Sequence, residues 1–175
     1  TATSLQAAMA NAITANKGWH ITPHLLHRTE GAIAYPISHR PDYQLPYRGQ
    51  PEDWDKMRDA MVAVLHSPIG TAKKIGAQVK GYQIAGRTGT AQVKSIAQGA
   101  RYNRAVLDQR HWDHAWFNGF APVEDPQIAL AVLVENGGGG SVVAAPIGRA
   151  LFDYWVLQRE TNPILPPTND QLKVI

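Results

Sequence analysis

Cysteine is absent from the 175 residues, so neither a disulfide framework nor a thiol nucleophile belongs to this protein's chemistry. That absence leaves the compartment open, because many periplasmic proteins also lack cysteine. Long apolar runs are missing too. No stretch approaches the roughly 18 apolar residues that read as a membrane span, and the first residues show no basic segment followed by an apolar core, so neither a membrane anchor nor a signal peptide is expected within this sequence. Charge is sparse: 17 lysines and arginines stand against 14 aspartates and glutamates, a formal net charge of +3. The excess is scattered rather than gathered on one face, which argues against nucleic acid as a partner. No internal repeat appears. What remains is a composition 44% hydrophobic, ordinary for a globular domain or part of one and sufficient to bury a core.

Thr3 followed by Gln6 is a capping-box pattern, and Leu5, Ala8, Met9, Ala12 and Ile13 recur at helical spacing as far as Gly18, the expected C-cap. From Trp19 to Gly49 prolines and aromatics show no sustained period, which predicts irregular connection with short strand pieces. Pro51 in a first turn, Glu52 and Asp53 behind it, and Trp54, Met57, Met61, Val64 and Leu65 on one face predict a second helix that stops near Ser67-Pro68. Both stripes, Leu5-Met9-Ile13 and Trp54-Met57-Met61, are expected to be core faces and suggest no cofactor. Further on, Trp112 to Ala121 and the wholly apolar run Ile128 to Val134 predict two strands, the second central and covered on both faces, joined as an antiparallel hairpin through Glu124-Asp125-Pro126. A terminal helix with Pro146, Ile147, Leu151 and Tyr154 is expected to pack on the sheet, and the proline-rich tail 161–175 to be frayed.

The richest segment is Gly86-Arg87-Thr88-Gly89-Thr90-Ala91-Gln92. The residues before it, Gly81-Tyr82-Gln83-Ile84-Ala85, alternate polar and apolar, so the whole is read as an edge strand. Alternation places Thr88 and Thr90 on one side and Arg87 on the other, and Gly89 between the threonines leaves the backbone open to a ligand. A fixed cation, two hydroxyls and unobstructed amides are suited to holding a carboxylate.

The pattern resembles the Lys-Thr-Gly box of penicillin-interacting serine enzymes, with arginine in the place of lysine. Around it, Thr1 to Gln6, Pro23-His24-Leu25-Leu26, Gly70-Thr71-Ala72, Tyr102-Asn103, Asp113-His114, Phe120-Ala121-Pro122 and Glu135-Asn136-Gly137-Gly138 are similar, in order, to the C-terminal part of class B penicillin-binding proteins of the elongation type. The resemblance extends to about Arg159 and implies an α/β (α+β) fold of the penicillin-binding transpeptidase and serine β-lactamase kind. Residues 1–160 would form the C-terminal part of that domain, an antiparallel sheet flanked by helices.

The resemblance further implies a peptidoglycan D,D-transpeptidase that acts through a serine acyl-enzyme. Its substrate would be the D-Ala-D-Ala stem peptide, its inhibitors β-lactams, and its partner a membrane glycosyltransferase; the domain would be periplasmic, in a protein anchored in the inner membrane. By resemblance, Arg87, Thr88, Gly89 and Thr90 bind substrate, and the Thr90 amide is one oxyanion donor. The serines are Ser4, Ser38, Ser67, Ser95 and Ser141, and none has a lysine three residues on or an asparagine two residues on. The nucleophile and its partner motif are therefore not among these residues, and the chain by itself is expected to be inactive. The arginine departs from the family pattern: lysine can lose its proton when desolvated, whereas arginine keeps its charge, so an electrostatic role is expected and a proton-shuttling one is not. Rival readings are a β-lactamase or β-lactam sensor sharing the box, and a wall-peptide-binding module without chemistry.

Other groupings point to structure rather than function. His111-Trp112-Asp113-His114 suggests zinc, but strand alternation would turn the two histidines to opposite sides and no fourth ligand is evident. His20, His24 and His27 have near-helical spacing that Thr22 and Pro23 undermine. Gly137 to Gly140 with Ser141 loosely resembles a phosphate cradle but lacks the following lysine, so a flexible strand-to-helix turn is expected. The charges Lys94, Arg101, Arg104 and Arg110 belong to a long loop, where a solvated connector is the simplest reading. No metal and no cofactor is expected.

Overall fold

A computed structural model describes residues 2–23, 25, 43–44, 50–95 and 103–158. Helix α1, Ser4–Ala15, begins as expected: the Thr3 hydroxyl accepts from the Gln6 amide at 3.2 Å, and the Gln6 side chain accepts from the Thr3 amide at 2.9 Å. Its end differs from the expectation. Asn16 is the C-cap, Lys17 takes the left-handed conformation at φ 50°, and Gly18 lies one residue further on, donating to the Ile13 carbonyl at 2.9 Å. Two short strands, β1 Trp19–His20 and β2 Tyr43–Gln44, pair antiparallel within the region read as irregular. Helix α2, Pro51–His66, has Pro51 in its first turn and is capped at its end by Ser67. A single turn, α3 Lys73–Gly76, precedes the motif.

The main sheet runs β3 Ala85–Ala91, β4 His114–Ala121 and β5 Ile128–Val134, all antiparallel in the order β3-β4-β5. The motif strand is thus an edge, as expected, and β4 and β5 form the expected hairpin. Two strand expectations are corrected. Gly81 to Ile84 are not strand; there the Ile84 amide is taken by His66 and the Gln83 carbonyl by the Val123 amide, so those groups do not enter the ladder. And β4, not β5, is the middle strand among the described residues, although β5 is covered by helices on both faces.

The pleat sorts the side chains. Thr88 lies opposite Phe117 and Thr90 opposite Ala115 on one face, whereas Arg87 lies opposite Asn118 on the other. Helix α4, Ala144–Asp153, packs on the first face, and α1 packs on the second. The first face carries the larger core, with Leu65, Ile84, Phe117 and Phe152 fully buried; the second holds Ala85, Phe120 and Val123 against Met61 and Val62 of α2.

The helical stripes were read partly on the wrong residues. Leu5 is 58% exposed and Met57 47%, while Ile147 and Leu151 are 44% and 47% exposed. Helix α4 instead turns Ala144, Ala145, Gly148 and Phe152 inward. A Cβ at Gly148 would overlap the Phe117 ring, so this helix comes close to the sheet through Ala144, Ala145 and Gly148 and anchors there with Phe152, a face that a stripe read on Ile147 and Leu151 misses. Tyr82 ties the approach to β3 onto α4: its hydroxyl donates to Asp153 at 2.7 Å, and Arg149 holds the other carboxylate oxygen at 2.9 Å. Burial, reinforced by that hydrogen bond, pushes the Tyr82 hydroxyl well above its usual range.

Among the described residues no helix is long and apolar enough to cross a membrane. The proline-rich tail lies outside the described residues.

Candidate active site

The motif strand is built into the fold at its beginning. Helix α2 lies against β3, and its last residue, His66, accepts a hydrogen bond at Nε2 from the Ile84 amide at 3.2 Å. Burial depresses the His66 pKa below its ordinary 6.5, and only the unprotonated nitrogen can accept that bond. The sign follows: the unfolded chain takes up the proton first, so stability is lost as pH falls below about 6.5 and the loss levels off beneath the depressed folded value. The urea midpoint is therefore expected to fall between pH 7.5 and pH 5.5, with a smaller fall in His66→Gln, whose amide oxygen accepts without titrating. Equal pH dependence in the two proteins would show that His66 does not carry the effect.

At the far end, Asp113 is buried and accepts from the Val93 amide at 3.2 Å, while its carbonyl accepts from the Gly138 amide at 2.8 Å. Asn136, left-handed at φ 51°, donates from its backbone amide to His114 Nδ1 at 2.9 Å and from its side chain to the carbonyls of Arg110 and Trp112. These contacts give His114 a structural task. His111 belongs to a short 3-10 turn, Gln109–His111, and not to a strand, so the reason expected for setting zinc aside is replaced by this one. Among the described residues no group of three ligand side chains could hold a metal ion. His24 and His27 lie outside the described residues, as do Arg101 and Tyr102.

Between these ends stand the four motif residues, all within β3. Arg87 and Thr90 are exposed, and Thr88 and Gly89 are half-buried. Arg87 makes no ion pair among the described residues. A Cβ on Gly89 would meet only the Trp116 Cβ, at 3.3 Å, so little blocks the backbone on that side. Among the described residues no strand pairs with the outer edge of β3. Residues on opposite faces of an edge strand can serve one ligand, because a molecule lying alongside is reached from above and below. A cation, two hydroxyls and backbone amides along such an edge suit an extended anionic peptide.

Three supports were not legible as such. Asn11, buried in the otherwise apolar stripe of α1, donates to the Asn118 side chain at 3.2 Å and so fixes the helix over the strand position opposite Arg87. Gly140, read as part of a flexible turn, is buried directly against Gly89. The Thr71 hydroxyl lies 3.1 Å from that of Thr88. A helical stripe interrupted by asparagine was a signal available for the first; the other two depend on contacts distant in sequence.

Comparison with known proteins agrees with this geometry. The model of the penicillin-binding protein transpeptidase domain matches residues 1–153. The peptidoglycan D,D-transpeptidase MrdA of Acinetobacter baumannii is 54% identical over 167 residues, which is 95% of this chain and 24% of that protein. Among solved structures, Pseudomonas aeruginosa PBP2 is similar with a TM-score of 0.71 and 38% identity, over 99% of this chain and 33% of the other. Penicillin-binding protein A of Mycobacterium tuberculosis, solved as an imipenem acyl-enzyme complex, gives a TM-score of 0.62 and 32% identity over 89% of this chain and 31% of the other. The chain thus spans about a quarter of the length of the curated relatives it matches. Sequence, fold and edge-strand motif agree: the chain belongs to the penicillin-binding protein transpeptidase family.

Proposed function

We propose that this chain is the substrate-clasping part of a peptidoglycan D,D-transpeptidase, which cross-links stem peptides through a serine acyl-enzyme and is a target of β-lactams. The observation that carries the reading is the exposed edge strand on which Arg87, Thr88, Gly89 and Thr90 stand together. A serine from elsewhere in the parent protein attacks the carbonyl of the penultimate D-alanine. The oxyanion that forms is held by the Thr90 amide and the serine's own amide, and its collapse expels the terminal D-alanine. The amine of a second stem peptide then attacks the acyl-enzyme, forming the cross-link and restoring the serine. One oxyanion donor contributes about 3 to 4 kcal/mol to such a transition state.

Thr88 and Thr90 hold the terminal carboxylate by their hydroxyls. Arg87 supplies the positive charge that attracts it, a task a guanidinium performs without titrating. The parent protein acts in the periplasm from an inner-membrane anchor, beside a glycosyltransferase of the shape, elongation, division and sporulation type.

Labelling of the complete protein by a fluorescent penicillin tests the reading. Covalent labelling followed by slow deacylation is expected; no label would leave a binding module, and fast release a β-lactamase. In the same assay Arg87→Ala is expected to slow acylation about tenfold to a hundredfold, the range of a lost charge-assisted hydrogen bond, while Arg87→Lys retains most of the rate. Equal rates in all three proteins would remove Arg87 from the site.

A further inference from the structure

The turn before the motif strand bears a hydroxyl that no catalytic or binding role accounts for. Gly70-Thr71-Ala72 is fastened to the end of α2 at several points. The Gly70 amide donates to the Ser67 carbonyl at 3.1 Å and the Ala72 amide to the Val64 carbonyl at 3.0 Å, and Ala72 is buried. A side chain at Gly70 would overlap the Val64 carbonyl oxygen and crowd that of Ala63, so the turn lies directly on the helix end. Ile75, three residues beyond Ala72 in α3, is buried in the same core. Thr71 between these anchors stays exposed, yet its position is fixed, and its Oγ1 lies 3.1 Å from Oγ1 of Thr88 on the motif strand.

Each hydroxyl has one proton and two lone pairs. If Thr88 gives its proton to a carboxylate, its oxygen is free to accept, and Thr71 is placed to donate to it. The two hydroxyls then form a short relay of hydrogen bonds, Thr71 to Thr88 to anion, in which each bond polarises the next. The turn also selects the rotamer of a β-branched side chain that would otherwise choose among staggered wells.

We propose that Thr71 is a positioning residue for substrate: it aims the Thr88 hydroxyl at the terminal carboxylate of the acyl donor. This rests on the transpeptidase reading above and adds to it a residue outside the motif.

The test uses the complete enzyme and two acylating probes, benzylpenicillin and its methyl ester, in which a methyl group removes the charge of the carboxylate. In Thr71→Val the ratio of the two second-order acylation rate constants, acid over ester, is expected to fall about three- to tenfold, the scale of one hydrogen bond between neutral groups. Thr71→Ser, which keeps the hydroxyl, should restore the ratio. In a Thr88→Val background, Thr71→Val should change it no further. A ratio unchanged by Thr71→Val, or a loss that simply adds to that of Thr88→Val, overturns the proposal, because a merely structural turn would slow both probes alike. Absence of acylation of the unchanged enzyme by benzylpenicillin would instead overturn the transpeptidase reading, and the role of Thr71 with it.

Discussion

Replacing Gly140 by valine is expected to lower acylation of the complete enzyme by penicillin at least about a hundredfold. An added Cβ there would overlap the carbonyl oxygens of Trp116 and Gly89 and come to 3.0 Å from the Gly89 nitrogen. These are backbone atoms of the sheet, which a rotamer change cannot move aside. Either the turn lifts away, loosening the start of α4, or the motif strand is displaced at the residue before the proposed oxyanion donor. A displacement of about 1 Å at a preorganised site costs on the order of two decades in rate. Acylation kinetics measured beside the thermal midpoint separate the outcomes: a lower rate at modest loss of stability is the signature of strand displacement, and a rate equal to that of the unchanged enzyme would show that the strand does not depend on this contact.

Phe117→Ala is expected to cost about 3 to 5 kcal/mol of stability, the range for removing a fully buried aromatic side chain. Phe117 is 0% exposed and meets Phe152 edge to face with ring centroids 6.4 Å apart. It also fills the space left by Gly148 on one side and approaches Gly86 on the other. The cavity would open between the sheet and α4, and the walls include backbone with little freedom to collapse. Loss of this size is a large part of the net stability of a domain. The midpoint of urea unfolding in the parent protein reads it directly, and a change below about 1 kcal/mol would mean that α4 does not close on this ring.

These two residues also show where the sequence was informative. The capped first helix, the helix from Pro51, the β4-β5 hairpin and the edge position of the motif could be read from short-range pattern, because caps, turns and a continuous apolar run are local signals, whereas the fold class was implied by the family resemblance. The face of α4 could not be read this way. Its packing uses the absence of side chains, and a periodicity read on Ile147 and Leu151 answers a different question from which face comes close enough to touch Phe117. The neighbours of β5 were not legible for a related reason: seven apolar residues report burial on both faces but say nothing about which strands lie alongside.

At the site, the motif residues were singled out by chemistry suited to a carboxylate together with the ordered resemblance around them. Their supports were not. Thr71 and Gly140 are 17 and 51 residues from their partners Thr88 and Gly89, and nothing in a single sequence links positions so far apart. Asp113 was quoted for its resemblance and in the zinc reading, and its anchoring of Val93 emerges from the loop geometry alone.

The outer margin of β5 has a practical consequence. Ile128–Val134 contains no charge, proline or glycine to discourage pairing, and among the described residues no strand pairs with its outer row of amides and carbonyls. Such a margin is a template for any extended chain. Produced without the rest of its parent, this polypeptide would therefore tend to stack through that strand into oligomers or fibres, and a lysine introduced on β5 would act as a guard against this self-assembly.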